Sequence, residues 1–197
     1  MNLATFLEIK NIVLDIDSQD HMESILEVMG KIPHNGRLRN KQMAIKDLLD
    51  REKLSSTGIG GGFAVPHVFT EEANVPTLVF ARSKKGIEFE SIDRKPVHLM
   101  LMAFAHPRKK TFFIQCLYHI VSLLKDPTVY HQLLACDGPE EVLRIFEKRC
   151  EKPSMDLFKP LHDGNGNGHG KAGEEAFVRP GIAVGQFLEE AVKGVRS

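Results

Sequence analysis

An α/β (α+β) fold is predicted for this chain of 197 residues: a mixed β-sheet flanked by α-helices, in a single domain with a flexible C-terminal tail. Three observations predict it. Stretches with the two-residue period of strands alternate with stretches at helical period. The run VHLMLMAFA at 97–105 is apolar on both faces apart from His98, as a central strand covered on two sides must be. After residue 152 come Pro153, Pro160 and the glycine-rich run DGNGNGHGKAG, with almost nothing apolar to bury. The boundary is therefore set between a domain at 1–152 and a tail at 153–197.

The first expected strand is 11–16, with Ile12, Leu14 and Ile16 on one side. A helix follows, with Ser18 as its N-cap and Met22, Ile25, Leu26 and Met29 as its stripe until Gly30 stops it. The next helix takes Asn40 as cap and Ile45, Leu48 and Leu49 as stripe, then runs through Arg51 and Lys53 into a glycine loop. Residues 63–65 and 77–81 read as further strands. The strongest helical pattern is 110–125, where Phe113, Cys116, Leu117, Ile120, Val121 and Leu124 share one face before Asp126 and Pro127. Shorter helices are expected at 129–135 and 140–148. In the tail, Val184, Phe187, Leu188, Ala191, Val192 and Val195 recur at helical spacing behind Pro180. Such a helix docks on its own domain or a neighbouring copy, or it recruits a partner.

Lys and Arg number 26 against 26 Asp and Glu, so the chain lacks the broad basic footprint of nonspecific nucleic-acid or anionic-membrane binding. No nucleic-acid partner is expected. The opening residues lack the basic start and unbroken apolar stretch of a secretory signal, and no later run reaches spanning length. The expectation is a cytoplasmic protein without membrane insertion. Cys116, Cys136 and Cys150 form no C-x-x-C pair and read as reduced thiols, with no metal site. Cys116 and His119 are three apart, but Cys116 lies on the apolar stripe, which favours a packed thiol beside a peripheral histidine over a metal pair.

Chemistry concentrates in REKLSSTGIGGGFAVPH at 51–67. It is not a Walker loop, because Gly62 is followed by Phe63, Ala64 and Val65 instead of a lysine and a hydroxyl residue. Nor is it a dinucleotide fingerprint, since the last glycine spacing is one short and the glycines follow a helix. What remains is a loop whose backbone N–H groups at Gly58, Gly60 and Gly62, with Ser55, Ser56 and Thr57, are candidates to surround a phosphoryl group. Pro66 stiffens the mount of His67, the candidate nucleophile. Arg51 and Thr57 are the candidates for charge compensation, a task that needs neither metal nor cofactor. The competing reading is a turn histidine after a tight connection.

These residues resemble the enzyme IIA family of the bacterial phosphoenolpyruvate-dependent phosphotransferase system, of the fructose/mannitol and nitrogen-regulatory type. Arg51, Glu52, Ser56, Thr57, Gly58, Ile59, Gly60, Gly62, Ala64, Pro66 and His67 match the family's R-E, S-T-G-I-G and G-x-A-x-P-H elements. The likeness extends to GIEFESIDRKPVHLMLMAF at 86–104 and SLLKDP at 122–127, and covers residues 1–150. It implies that His67 accepts a phosphoryl group from a phosphohistidine carrier, the phosphocarrier protein HPr or its nitrogen-branch counterpart. It also implies an output: transfer to a IIB partner for sugar transport, or a regulatory signal.

Two positions depart from the family. Val68 stands where glycine is common, and the place of a second histidine beside the acceptor falls on Phe113. His106 is the candidate to take over that role; its alternative is a solvated loop histidine. Loss of the second histidine leaves a non-catalytic interaction module on the same fold as the rival function. Either way, phosphoryl traffic between proteins requires a His67 ring that another macromolecule can reach.

Overall fold

The computed structural model describes residues 3–150. The linker and helix expected at 153–197 lie outside them. Six strands are formed among the described residues, β1 (Leu7–Val13), β2 (Gly58–Gly60), β3 (Phe63–Ala64), β4 (His67–Phe69), β5 (Thr77–Ile87) and β6 (Val97–Ala105). The helices are α1 (His21–Lys31), α2 (Lys41–Leu54), α3 (Lys110–Leu124), α4 (Pro127–Ala135) and α5 (Pro139–Cys150).

The strands make one mixed sheet in the order β1-β5-β6-β3-β2, with β4 also paired to β6. β1 runs parallel to β5, β5 antiparallel to β6, and β6 parallel to both β3 and β4. The alternation along β6 shows why that strand is apolar on both sides. Leu99, Leu101, Ala103 and Ala105 face a cluster with α3, α4 and α5, whereas Met100, Met102 and Phe104 face a second cluster with α1 and α2. His98, the polar exception, is half-buried with Nδ1 3.0 Å from the Ser83 carbonyl.

Several local expectations are corrected. The first strand starts at Leu7 and stops at Val13 because Asp15 adopts a left-handed φ of 58°, which breaks the extended path. Ile16 is still buried, and its N–H reaches the Arg82 carbonyl at 3.0 Å. The cap of α1 is Asp20, not Ser18: its carboxylate accepts the N–H groups of Met22 and Glu23 at 2.9 and 3.0 Å. Gly30 lies within α1, and Val28 replaces the exposed Leu26 on the buried face. Asn40 caps α2 as expected, accepting the Met43 N–H at 3.1 Å. The strand expected at 77–81 continues to Ile87, and the six-residue stripe of α3 is buried throughout. Gly58–Gly60, expected as loop, and His67–Phe69, for which no strand is expected, are strands too short to show a period.

Candidate functional site

β3 and β4 lie end to end along β6, with Phe63 opposite Leu99 and His67 opposite Ala103. Val65 and Pro66 interrupt them. Pro66 has no N–H to offer a neighbouring strand, but its carbonyl accepts the Ala103 N–H at 2.9 Å. Val65 turns its N–H away from β6 to the Thr57 carbonyl, at 3.0 Å. The Val65 carbonyl lies 3.0 Å from Nδ1 of His67.

A carbonyl only accepts, so that contact puts the proton on Nδ1 and the lone pair on Nε2. Burial lowers the His67 pKa to about 4; the Val65 carbonyl pulls it up and the positive charge of Arg51 pushes it further down. The ring is therefore a neutral imidazole at physiological pH, the form a nucleophile needs. His67 is only 3% exposed, so the expected open ring is not what the structure holds. The reason is local: His67 sits in a strand of the sheet, between buried Val65, Pro66 and Val68, and not on a protruding turn.

Arg51 occupies the last turn of α2, partly exposed, with Nη1 donating to the Ser55 carbonyl at 3.0 Å. Ser55 is the exposed residue that ends this helix. The other two hydroxyls donate into the fold. Thr57 is fully buried, and its Oγ1 donates to Glu52, at 3.0 and 2.8 Å from the two carboxylate oxygens. Ser56 Oγ donates to the Phe89 carbonyl at 2.5 Å and accepts the Gly58 N–H at 3.2 Å.

The glycines shape a β2–β3 hairpin that the segment following Phe89 grips. The Gly58 carbonyl accepts the Ile92 N–H at 3.1 Å, and Gly61 N–H donates to Asp93 at 2.9 Å. A Cβ at Gly58 would lie 2.7 Å from Ser91 Oγ, so the approach requires glycine. Gly60 and Gly62 have φ of 76° and 81° and turn the hairpin.

His106 follows the end of β6. It lies three residues beyond Ala103, the partner of His67, or roughly 10 Å along the strand direction. Its Nδ1 accepts the Arg108 N–H at 3.2 Å, capping a short turn, and its Nε2 stands 2.7 Å from the Glu71 carboxylate. Phe113 is 1% exposed and meets Phe69 edge to face at 6.4 Å, while Phe69 in turn meets the His67 ring at 6.4 Å. Where the family resemblance places a second histidine, the chain thus has a core aromatic. Sequence reasoning matched Glu52 but gave it no role, and it missed the Val65 carbonyl and Asp93. Asp93 reaches Gly61 from 32 residues away and has no local signal, whereas the Glu52–Thr57 and Val65–His67 contacts span five and two residues and depend on the backbone path between them.

Comparison with known proteins yields one consistent picture. Residues 5–149 match the family model described as phosphoenolpyruvate-dependent sugar phosphotransferase system, EIIA 2. The fructose-specific EIIABC component of Bacillus subtilis is 31% identical over 148 residues, which make up 75% of this chain and 23% of that protein. The chain thus corresponds to about a quarter of that relative. The fructose-specific EIIA component of Haloferax volcanii is 33% identical over 116 residues, 59% of this chain and 75% of its own. The crystal structure of nitrogen regulatory protein IIA-Ntr from Neisseria meningitidis superposes with a TM-score of 0.67 at 24% identity, covering 73% of this chain and 98% of that one. The last establishes likeness of fold.

Proposed function

The chain belongs to the phosphoenolpyruvate-dependent sugar phosphotransferase system EIIA 2 family, and from that premise we propose that His67 accepts a phosphoryl group from a phosphohistidine carrier protein. The observation that carries this reading is the bond between His67 Nδ1 and the Val65 carbonyl. It keeps the nucleophilic lone pair on Nε2, and it strengthens as the ring gains positive charge during attack on phosphorus. The N–P bond of the donor breaks as the bond from Nε2 to phosphorus forms, and the donor imidazole takes back its electron pair. Arg51, whose charge is felt at His67, offsets the negative charge of the incoming group. Thr57 serves by holding the loop. The carrier is HPr or its nitrogen-branch counterpart, and the acquired charge passes to a IIB partner or acts as a nitrogen-type regulatory signal.

A ring this covered must be exposed before a carrier can reach it, by side-chain or loop movements of the nanosecond to microsecond class. That cover, together with the apolar Phe113 at the place of the second histidine, favours the rival reading of a non-catalytic interaction module. One experiment separates them. The full chain is incubated with phosphoenolpyruvate, enzyme I and the carrier, and intact mass is followed with acid lability as the mark of phosphohistidine. Modification that disappears in His67→Ala supports the acceptor; a chain left unmodified by every cognate carrier leaves the module.

A further inference from the structure

Glu52 is a carboxylate 2% exposed at the end of α2, and no step of phosphoryl transfer uses it directly. Burial raises its pKa, opposed by the hydrogen bonds from Thr57 and by the nearby charges of Arg51 and His21. Its contacts are all the more informative for that. Oε1 accepts the Thr57 N–H at 2.7 Å, and both oxygens lie within reach of the Thr57 hydroxyl. The Thr57 carbonyl, on the other side of that residue's Cα, accepts the Val65 N–H at 3.0 Å. The Val65 carbonyl then receives Nδ1 of His67 at 3.0 Å. Three consecutive links join one buried carboxylate to the imidazole.

We propose that Glu52 is a positioning residue for His67: by clamping Thr57 it fixes Val65, whose carbonyl holds the imidazole in its Nδ1–H tautomer. The functional consequence rests on the reading of His67 as phosphoryl acceptor. Neighbouring residues of a helix diverge by about 100°. The last turn of α2 therefore sends Glu52 inward to the loop while Arg51, the next residue back, exerts its charge on the ring. One helix end governs both the orientation of the acceptor and its charge environment. A carboxylate suits the task because it accepts from both Thr57 groups at once; an amide supplies one acceptor oxygen and a donor. Without the clamp, the Thr57 carbonyl that receives the Val65 N–H is no longer fixed, the Val65 carbonyl shifts within the core, and the proton redistributes between the ring nitrogens.

The test uses the full chain labelled with 15N-histidine. The His67 signals are assigned by their disappearance in His67→Ala, and the tautomer is read from the nitrogen shifts of the resting protein, with no donor present. Glu52→Ala is expected to convert a single Nδ1–H tautomer into a mixture and to slow phosphorylation by the carrier about tenfold. Glu52→Gln is expected to fall between it and the wild type. Thr57→Val, which loses the hydroxyl but keeps the N–H, should also show the mixture. An unchanged His67 tautomer in Glu52→Ala overturns the proposal; if that variant does not fold, the same result in Thr57→Val does. Because the tautomer is measured without a carrier, a wild-type chain that accepts no phosphoryl group would sink the acceptor reading while leaving this comparison decisive for the clamp.

Discussion

Gly62 combines two demands that are separable by mutation. Its φ of 81° is left-handed, and a Cβ there would come within 2.5 Å of the Tyr130 hydroxyl. Gly36 has a comparable φ of 74° with nothing within 4 Å of its Cβ position. Gly36→Ala should therefore lose only backbone strain, about 1–2 kcal/mol. Gly62→Ala adds overpacking of about 1–3 kcal/mol to the same strain. Urea denaturation of the two variants measures the difference, and equal losses would mean that Tyr130 simply moves aside. The same residues show what one-dimensional reading can reach. The glycines, Pro66 and His67 were legible because their constraints are local, a tight turn and a stiff mount. The burial of Glu52 was not, since a charged residue gives no apolar signal for the inward face it shares with Ala44 and Leu48.

Caps and periods decide the elements. Both Ser18 and Asp20 are chemically fit to cap α1, and only the backbone settles the choice: Asp20 is extended, with ψ of 141°, and binds two N–H groups. Asp20→Ala should cost about 1 kcal/mol and Asp20→Asn much less, as read by thermal or urea unfolding. Equal losses in the two would assign the effect to the carboxylate charge near the helix start instead of to the cap. Helices and long strands were legible because the α3 stripe and β6 repeat their pattern over many residues. β2 and β4 have three residues each, too few for any period, and owe their extension to partners on the sheet. The placing of His106 has a similar origin. Proximity in sequence to α3 says nothing of where β4 lies along β6, and the register puts His67 opposite Ala103, three residues before His106.

Acid stability joins the buried acceptor to the fold as a unit. An unfolded chain protonates His67 near pH 6.5, whereas the folded ring stays neutral to about pH 4. Between those values the unfolded state binds more protons, so stability falls as pH falls, and the full contribution is present above the upper value. The gap corresponds to a loss of up to about 3 kcal/mol. Glu52 works in the opposite direction, because burial raises its pKa and the folded state holds that proton more firmly. Glu27 enters lower still. Burial alone would raise its carboxyl, but hydrogen bonds from Lys31, Ser18 and Asp17 hold it at about 2, so its stabilisation is lost only below the ordinary carboxylate range. His67→Gln isolates the first of these, since glutamine does not titrate. The stability difference between wild type and His67→Gln, measured by urea unfolding, should change by about 3 kcal/mol in favour of the variant from pH 7 to pH 4. Parallel pH curves would show that the ring is solvated in the folded chain. If the curves diverge, the neutral ring should also keep the phosphorylation rate level down to about pH 5, once the pH response of the carrier is subtracted.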